Sequence, residues 1–320
     1  MINPNRNQGV FVVKCFVTGA AGFLGTALSN KLIEIGYEVI GLDDCSGGEP
    51  ERLRPEVQFV RNDLNSKESL WRLLKNVDII YHLAAKVIVP DSLLYPGEYE
   101  KTNVGGTVTL LEAMHDVGNQ KMIFASSGAI YGNQPLMPLK EDMNPSPESP
   151  YAVSKLAGEF YIRTIGQLWG LQAVCLRIFN CYGPYQGFSF AHSPVIPTFL
   201  RQCALHGTVV IHGDGNKTRD FVYVDDVVDA FVAAAELQSN NETVINIGSG
   251  QETSVNEVLE TAKRVTGVEP QVIYNPRRVG GANRMCADLS IAEKVLNYHP
   301  KVMLEEGMQR TFAEDENLRQ

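Results

Sequence analysis

Residues 14–43 join a short apolar run, the loop TGAAGFLG, a helix-like stretch LGTALSNKLIEIG and a second apolar run that closes on Asp43. Glycines at 19, 22 and 25 permit a tight turn. They let backbone N–H groups approach a pyrophosphate at the N-terminus of the following helix, where the helix dipole favours negative charge. A glycine turn alone decides little. With a strand before it, a helix after it and an acid at the end of the next strand, it reads as a dinucleotide-binding element. Asp43 can accept hydrogen bonds from both hydroxyls of an adenosine ribose. Asp44 puts a second negative charge where a 2′-phosphate would lie, so NAD is favoured over NADP. Asp44 reads equally well as a turn residue. Asp63, in RNDL just past the third strand, is either a contact to the adenine amino group or a helix cap or turn.

The same alternation continues through VDIIYHLAA, a long helical pattern from about Glu98 to Val117, and KMIFASS. Strands alternating with helices imply an α/β fold, a doubly wound parallel sheet covered on both faces. Ligands of such sheets lie beyond the carboxyl ends of the strands, which directs attention to HLAA at 82–85, with His82 itself read as a packed histidine. After about Asn180 the texture changes to CYGPYQGFSFAHSPVIP, rich in Gly, Pro and aromatics. The expected organisation is a nucleotide-binding Rossmann domain over 11–179, with about 219–247 returning to it, and a smaller mixed α/β substrate domain from 180–218 and 248–320.

Bulk properties narrow the function. The 320 residues carry a net charge of −9, which opposes a broad electrostatic grip on nucleic acid or an anionic membrane. A phosphorylated ligand would then be held by local arginines and helix N-termini. Hydrophobic residues make up 44%, with no apolar run long enough to span a bilayer. Six cysteines are scattered without a CxxC pair and without clustered histidines, so neither zinc nor a disulfide framework is suggested. The N-terminus reads as a loose polar tail, and the expected compartment is the reducing cytoplasm.

In SPYAVSKLAG at 149–158, Tyr151 stands four places before Lys155. On a helix, side chains at i and i+4 share a face. An ammonium beside a phenol favours the phenolate and lowers its pKa, so Tyr151 could move protons. By itself the pair is weak, since chance supplies such spacings. In the order TGAAGFLG, Asp43, HLAA, FASS and YAVSK, however, the chain resembles the extended short-chain dehydrogenase/reductase family, especially its nucleotide-sugar epimerases and dehydratases. The resemblance continues through LRIFNCYGP at 176–184, VIPTFL at 195–200, TRDFVYVDDV at 218–227 and PRRVGG at 276–281.

That resemblance implies specific roles. Tyr151 would be the acid/base on a sugar hydroxyl, and Lys155 would lower its pKa while holding the nicotinamide ribose. Ser127 would orient the substrate oxygen; chemistry alone does not separate it from Ser126, and the family register selects it. Cofactor contacts would come from Gly19, Gly22, Phe23, Leu24, Asp43, Asp44, Asp63, Leu64, Leu83, Ala84, Ala85, Asn103, Ala125 and Phe179, besides Tyr151 and Lys155. The substrate would meet Lys86, Ser127, Asn180, Val195, Arg219 and Arg278. Arginine suits the diphosphate because its planar fork binds phosphate oxygens in pairs, although either arginine could instead be a surface ion-pair residue.

Four features bear on the reaction. Gly281 stands where many relatives carry an aspartate. Tyr185 follows GP where an arginine is common, which disfavours a uronic acid substrate. Gly128 and Ala129 occupy the places where the family's dehydratases carry acids, leaving Glu141 and Asp142 as the nearest alternatives in sequence. Met285, near the sugar's C2 substituent, suits a hydroxyl or an N-acetyl group. The expected activity is C4 inversion of a UDP-hexose or UDP-N-acetylhexosamine through a transient 4-keto sugar. The alternatives are a 4,6-dehydratase, a uronate epimerase or decarboxylase, or a non-catalytic NAD-binding sensor. The resemblance also implies a homodimer formed through the long helix and the Tyr151 helix.

Overall fold

The structure, a computed structural model, describes residues 12–118, 121–187, 194–237, 243–276 and 281–320. In chain order the elements are β1 (Lys14–Thr18), α1 (Phe23–Glu34), β2 (Glu38–Asp43), β3 (Gln58–Arg61), α2 (Lys67–Leu73), β4 (Ile79–His82), α3 (Val89–Leu94), α4 (Pro96–Tyr99), α5 (Gly106–Val117) and β5 (Lys121–Ser127). There follow α6 (Pro150–Trp169), β6 (Gln172–Ile178), β7 (Asn180–Tyr182), α7 (Val195–Ala204), β8 (Thr208–His212), β9 (Thr218–Arg219), β10 (Phe221–Tyr223), α8 (Val224–Glu236) and β11 (Thr243–Ile247). The chain closes with β12 (Thr253–Ser254), α9 (Val255–Thr266), β13 (Gln271–Asn275), α10 (Ser290–Leu296) and α11 (Leu304–Glu314).

Seven strands form one sheet in the order β11-β6-β5-β4-β1-β2-β3. β1 pairs in parallel with both β2 and β4, and the β2–β3 and β4–β5 pairs are parallel too. The strands β1, β2 and β5 are short and almost wholly buried, as a sheet covered on both faces requires. The order reverses at β1, whose neighbours β2 and β4 lead away in opposite directions, and that is the switch point where open α/β sheets bind ligands. By packing, the chain separates into two compact units: 1–126 with 149–176 and 231–244, and 127–148 with 177–230 and 245–320.

In the first unit Phe16, Ile40, Leu42 and Ile80 from the sheet pack with Leu110, Leu111 and Met114 of α5 and Ile162 of α6. Burying each side chain of this size contributes roughly 1.5–3 kcal/mol. The helical pattern from Glu98 to Val117 is interrupted at Glu100–Gly105 by a π-helical turn. In the second unit α7, α9 and α11 pack on one another, burying Phe199, Leu200, Leu259 and Met308. α9 begins with a capping box in which Ser254 and Glu257 satisfy each other's backbone amides.

Candidate active site

The loop between β1 and α1 is built for close approach. Gly19 has φ +70°, and a Cβ there would lie 2.7 Å from the backbone nitrogen of Ala84, so only glycine lets the end of β1 meet the residues that follow β4. A Cβ on Gly25 would lie 1.9 Å from the Gly19 carbonyl oxygen, which fixes α1 tightly against the turn. The N-cap of α1 is Gly22, with no side-chain cap and no acid in the first turn. The amides opening the helix at Phe23 and Leu24, which lack intrahelical partners, therefore suit an anion. Asp43 is buried at the end of β2; its Oδ2 accepts from the Ala21 amide at 3.0 Å and its Oδ1 from the Cys45 amide at 2.8 Å. Burial pushes its pKa up, and the amides oppose that shift. Loop and acid thus form one hydrogen-bonded piece, fit for a dinucleotide's diphosphate and ribose.

Asp44 and Asp63 each close a local turn. Asp44 Oδ1 accepts from the Ser46 amide at 2.8 Å, and Asp63 Oδ1 accepts from the amide and the side chain of Asn65 at 2.8 and 2.9 Å. Leu64 is buried against Gly106 of α5. Leu83, Ala84 and Ala85 lie just past β4, and the first two donate their amides to Thr18 Oγ1 at 3.2 and 3.1 Å. With both amides pointing at it, Thr18 Oγ1 gives its proton to His82 Nδ1, 2.8 Å away. His82 Nε2 consequently carries the ring proton and donates to Thr107 Oγ1 at 2.8 Å, and Thr107 donates on to the Asn103 carbonyl at 2.6 Å. Burial drives the His82 pKa down to about 3. It is a neutral, packed histidine, as the sequence suggests.

Asn103, in the π-helical turn, clamps the chain after β4: Oδ1 accepts from the Lys86 amide at 2.8 Å, and Nδ2 donates to the Lys86 carbonyl at 3.0 Å and to Ser154 Oγ at 2.9 Å. Ser154 donates in turn to the Tyr151 carbonyl at 2.8 Å. Asn103 therefore joins the Lys86 segment to the first turn of α6. Lys86 Nζ sits 2.6 Å from Glu98 at the surface. α6 starts cleanly, with Ser149 as N-cap accepting from the Ala152 amide and Pro150 as its first residue. Tyr151 thus lies in the first turn, half-buried, and Lys155 follows one turn later at 3% exposure. Lys155 Nζ donates to the Ala125 carbonyl at 2.8 Å and stands 5.1 Å above the Phe124 ring centre. Burial pulls its pKa down to about 7 against the opposing charge of Glu159.

In the second unit, Ser127 ends β5 and its Oγ accepts from the Ala129 amide at 3.2 Å. Phe179 lies beneath Gly128, where a Cβ would be 3.2 Å from its ring. The structure brings Asn180 and Arg219 together: the Asn180 amide donates to the Asp220 carbonyl at 3.0 Å, and β7 runs parallel to β10. Arg219 NH1 donates to the Thr218 carbonyl at 2.7 Å, and burial lowers its pKa. Val195 opens α7. Arg278 lies outside the described residues.

Residues 15–248 match the NAD dependent epimerase/dehydratase family. The chain belongs to that family. UDP-glucose 4-epimerase of Mycolicibacterium smegmatis is 37% identical over 93% of this chain and 97% of its own. The structure of Thermotoga maritima UDP-glucose 4-epimerase with UDP-glucose superimposes with a TM-score of 0.90 at 37% identity, covering 94% of this chain and 98% of that one. Thermus thermophilus UDP-glucose 4-epimerase in complex with NAD gives a TM-score of 0.87 at 33% identity, covering 94% and 98%.

As a member of the NAD-dependent epimerase/dehydratase family, the chain shows two local features that its motifs did not announce. Gly281 has φ +91°, a conformation that an aspartate would hold only with strain. A Cβ at that position would lie 4.0 Å from Arg219 NH2, so the two segments do come together. The second feature is Glu159, buried one turn beyond Lys155 on α6. The signal for it was present as the next step of the i, i+4 series from Tyr151 through Lys155.

Proposed function

We propose that this chain is an NAD-dependent 4-epimerase of a UDP-hexose or UDP-N-acetylhexosamine. The observation that carries the reading is the α6 face on which Tyr151 stands one turn before a buried Lys155 that is fixed to β5. The Gly19–Gly22 turn, the opening amides of α1 and Asp43 would hold NAD, which when bound supplies the acceptor and donor of the C4 hydride. Tyr151 takes the C4 hydroxyl proton and later returns it, with Lys155 favouring the phenolate. Ser127 orients the same oxygen. Asn180, Arg219 and Arg278 would grip the diphosphate and so retain the 4-keto sugar while it turns over.

Elimination of water across C5 and C6 needs an acid and a base beyond the tyrosine. Gly128 and Ala129, in the 3-10 turn after Ser127, offer neither. The Glu141 carboxyl is engaged elsewhere: its Oε1 accepts from the Asn246 amide at 2.8 Å. The expected product of incubation with UDP-glucose or UDP-N-acetylglucosamine therefore has unchanged mass and altered retention time. Mass spectrometry after chromatography checks this; loss of one water would make the chain a dehydratase.

The chain would work as a homodimer in the cytoplasm. α6 leaves Val153, Phe160 and Tyr161 exposed, and the neighbouring α3 exposes Leu93 and Leu94. Such an apolar face on two packed helices suits a second copy of itself. No helix among the described residues is long and apolar enough to cross a membrane. Sedimentation should give twice the chain mass, falling to the monomer in Phe160→Asp/Tyr161→Asp. A monomeric wild-type chain at micromolar concentration would refute the dimer.

A further inference from the structure

Glu159 is a buried carboxylate with no part in the chemistry above. It is 6% exposed, and it accepts a hydrogen bond from Ser126 Oγ. Lys155, one turn earlier on the same helix, donates to the carbonyl of Ala125, the residue before Ser126. Consecutive positions at the end of β5 are thus gripped by consecutive turns of α6, one through a cation and the other through an anion. Phe124, two residues back on the same strand face as Ser126, closes the space beneath: its ring lies under Lys155 Nζ and against Gly158. An ammonium taken so far from water needs a compensating charge, and a lone carbonyl and an aromatic face supply only part of it.

We propose that Glu159 is a positioning residue whose negative charge keeps the Lys155 side chain protonated and seated on β5, and that it thereby keeps Tyr151 usable as a base. The proposal rests on the roles of Tyr151 and Lys155 given above. The charged and titratable neighbours are few. On α6 they are Tyr151, Glu159 itself and the exposed Arg163 one turn beyond it, and on α4 Tyr99 senses Tyr151. On β4 His82 senses Lys155 but is neutral throughout any working range, with its pKa near 3. On β5 Phe124, Ala125 and Ser126 carry no charge. Burial lowers the Lys155 pKa and Glu159 raises it, so removing the carboxylate lets the ammonium lose its proton at lower pH. Tyr151 acts as a base only beside the cation, so activity then fails earlier as pH rises.

The test is the Glu159→Gln variant, which keeps the shape of the side chain and a partner for Ser126. Its kcat–pH profile should show the alkaline limb displaced downward by about one pH unit, with activity near the acid limb little changed. A uniform loss at every pH, with both limbs in place, would reduce Glu159 to a packing residue and overturn the proposal. A second measurement needs no turnover. In a Lys155→Met background the buried Glu159 charge no longer has Lys155 to balance, so adding Glu159→Gln should raise the melting temperature by about 2–4 °C. A fall there would overturn the proposal even if Glu159→Gln alone did not fold. Should the wild-type chain epimerise no UDP-sugar, the 4-epimerase reading fails, and the melting comparison still decides whether Glu159 balances Lys155.

Discussion

Replacing Tyr151 by phenylalanine is expected to lower epimerase turnover by about a thousandfold while leaving the fold intact and NAD binding close to wild type. The substitution removes one oxygen from a half-buried side chain in the first turn of α6, and that turn is secured by other groups: the Ser149 cap, Pro150 and the Ser154 bond to the Tyr151 carbonyl. None of these involves the phenol oxygen. Lys155 keeps its contact with Ala125, so the cofactor side of the site is unaltered. The lost step is proton transfer at the C4 oxygen, for which a positioned acid/base supplies about 10²–10⁴-fold. Because that transfer is made only in the transition state, kcat and kcat/KM should fall together. Activity within tenfold of wild type would remove Tyr151 from the chemistry and with it the reading of α6.

The parts of this molecule that were legible in the sequence are those written within a few residues of one another. The glycine turn, the strand on either side of it and Asp43 sit inside 30 positions, and the turn's demand for glycine is a local steric fact: the Cβ clashes at Gly19 and Gly25 involve the loop itself and the chain after β4. Tyr151 and Lys155 are joined by helical periodicity alone. His82 was legible as packing because it ends a buried strand, though its tautomer follows only from Thr18 and Thr107, which are 64 and 25 residues away.

What was not legible depends on distant partners or on departures from regular geometry. The π-helical turn at Glu100–Gly105 interrupts what reads as continuous helix, and it places Asn103 where its carboxamide can hold the Lys86 backbone and Ser154 together. Nothing in periodicity signals that extra residue per turn. Asp44 and Asp63 read either as ligand contacts or as turn formers, and it took the structure to give their turn bonds, from the amides of Ser46 and Asn65. The pairing of Ser126 with Glu159 spans 33 residues and needs both the α6 face and the β5 pleat to be known.

Asp220 is the strongest case of such a distant residue, and its loss is expected to be the most damaging substitution to stability. It is fully buried directly after Arg219. Oδ1 accepts from the amide and hydroxyl of Ser249 at 2.6 and 2.7 Å; Oδ2 accepts from the amides of Gly250 and Ala287, both at 3.0 Å. Gly248 packs so closely that a Cβ there would lie 2.6 Å from Oδ2. Asp220→Ala leaves the buried Ala287 amide and the part-buried amides of Ser249 and Gly250 without their acceptor, at up to about 1–3 kcal/mol each and least for the exposed Gly250. Relaxation and entering water would recover part of this, so a net loss of about 4 kcal/mol and a melting temperature lower by about 10 °C are expected. Asp220→Asn should recover at most half: whichever way the amide is turned, its NH2 faces a pair of donors at one end. The damage also has a functional direction. The Asp220 carbonyl accepts from the Asn180 amide, and Arg219 precedes it, so a loosened segment should raise the KM for the UDP-sugar more than it lowers kcat. Differential scanning calorimetry with steady-state kinetics checks both halves. A variant melting within about 2 °C of wild type would mean that water replaces the carboxylate as the acceptor at this junction.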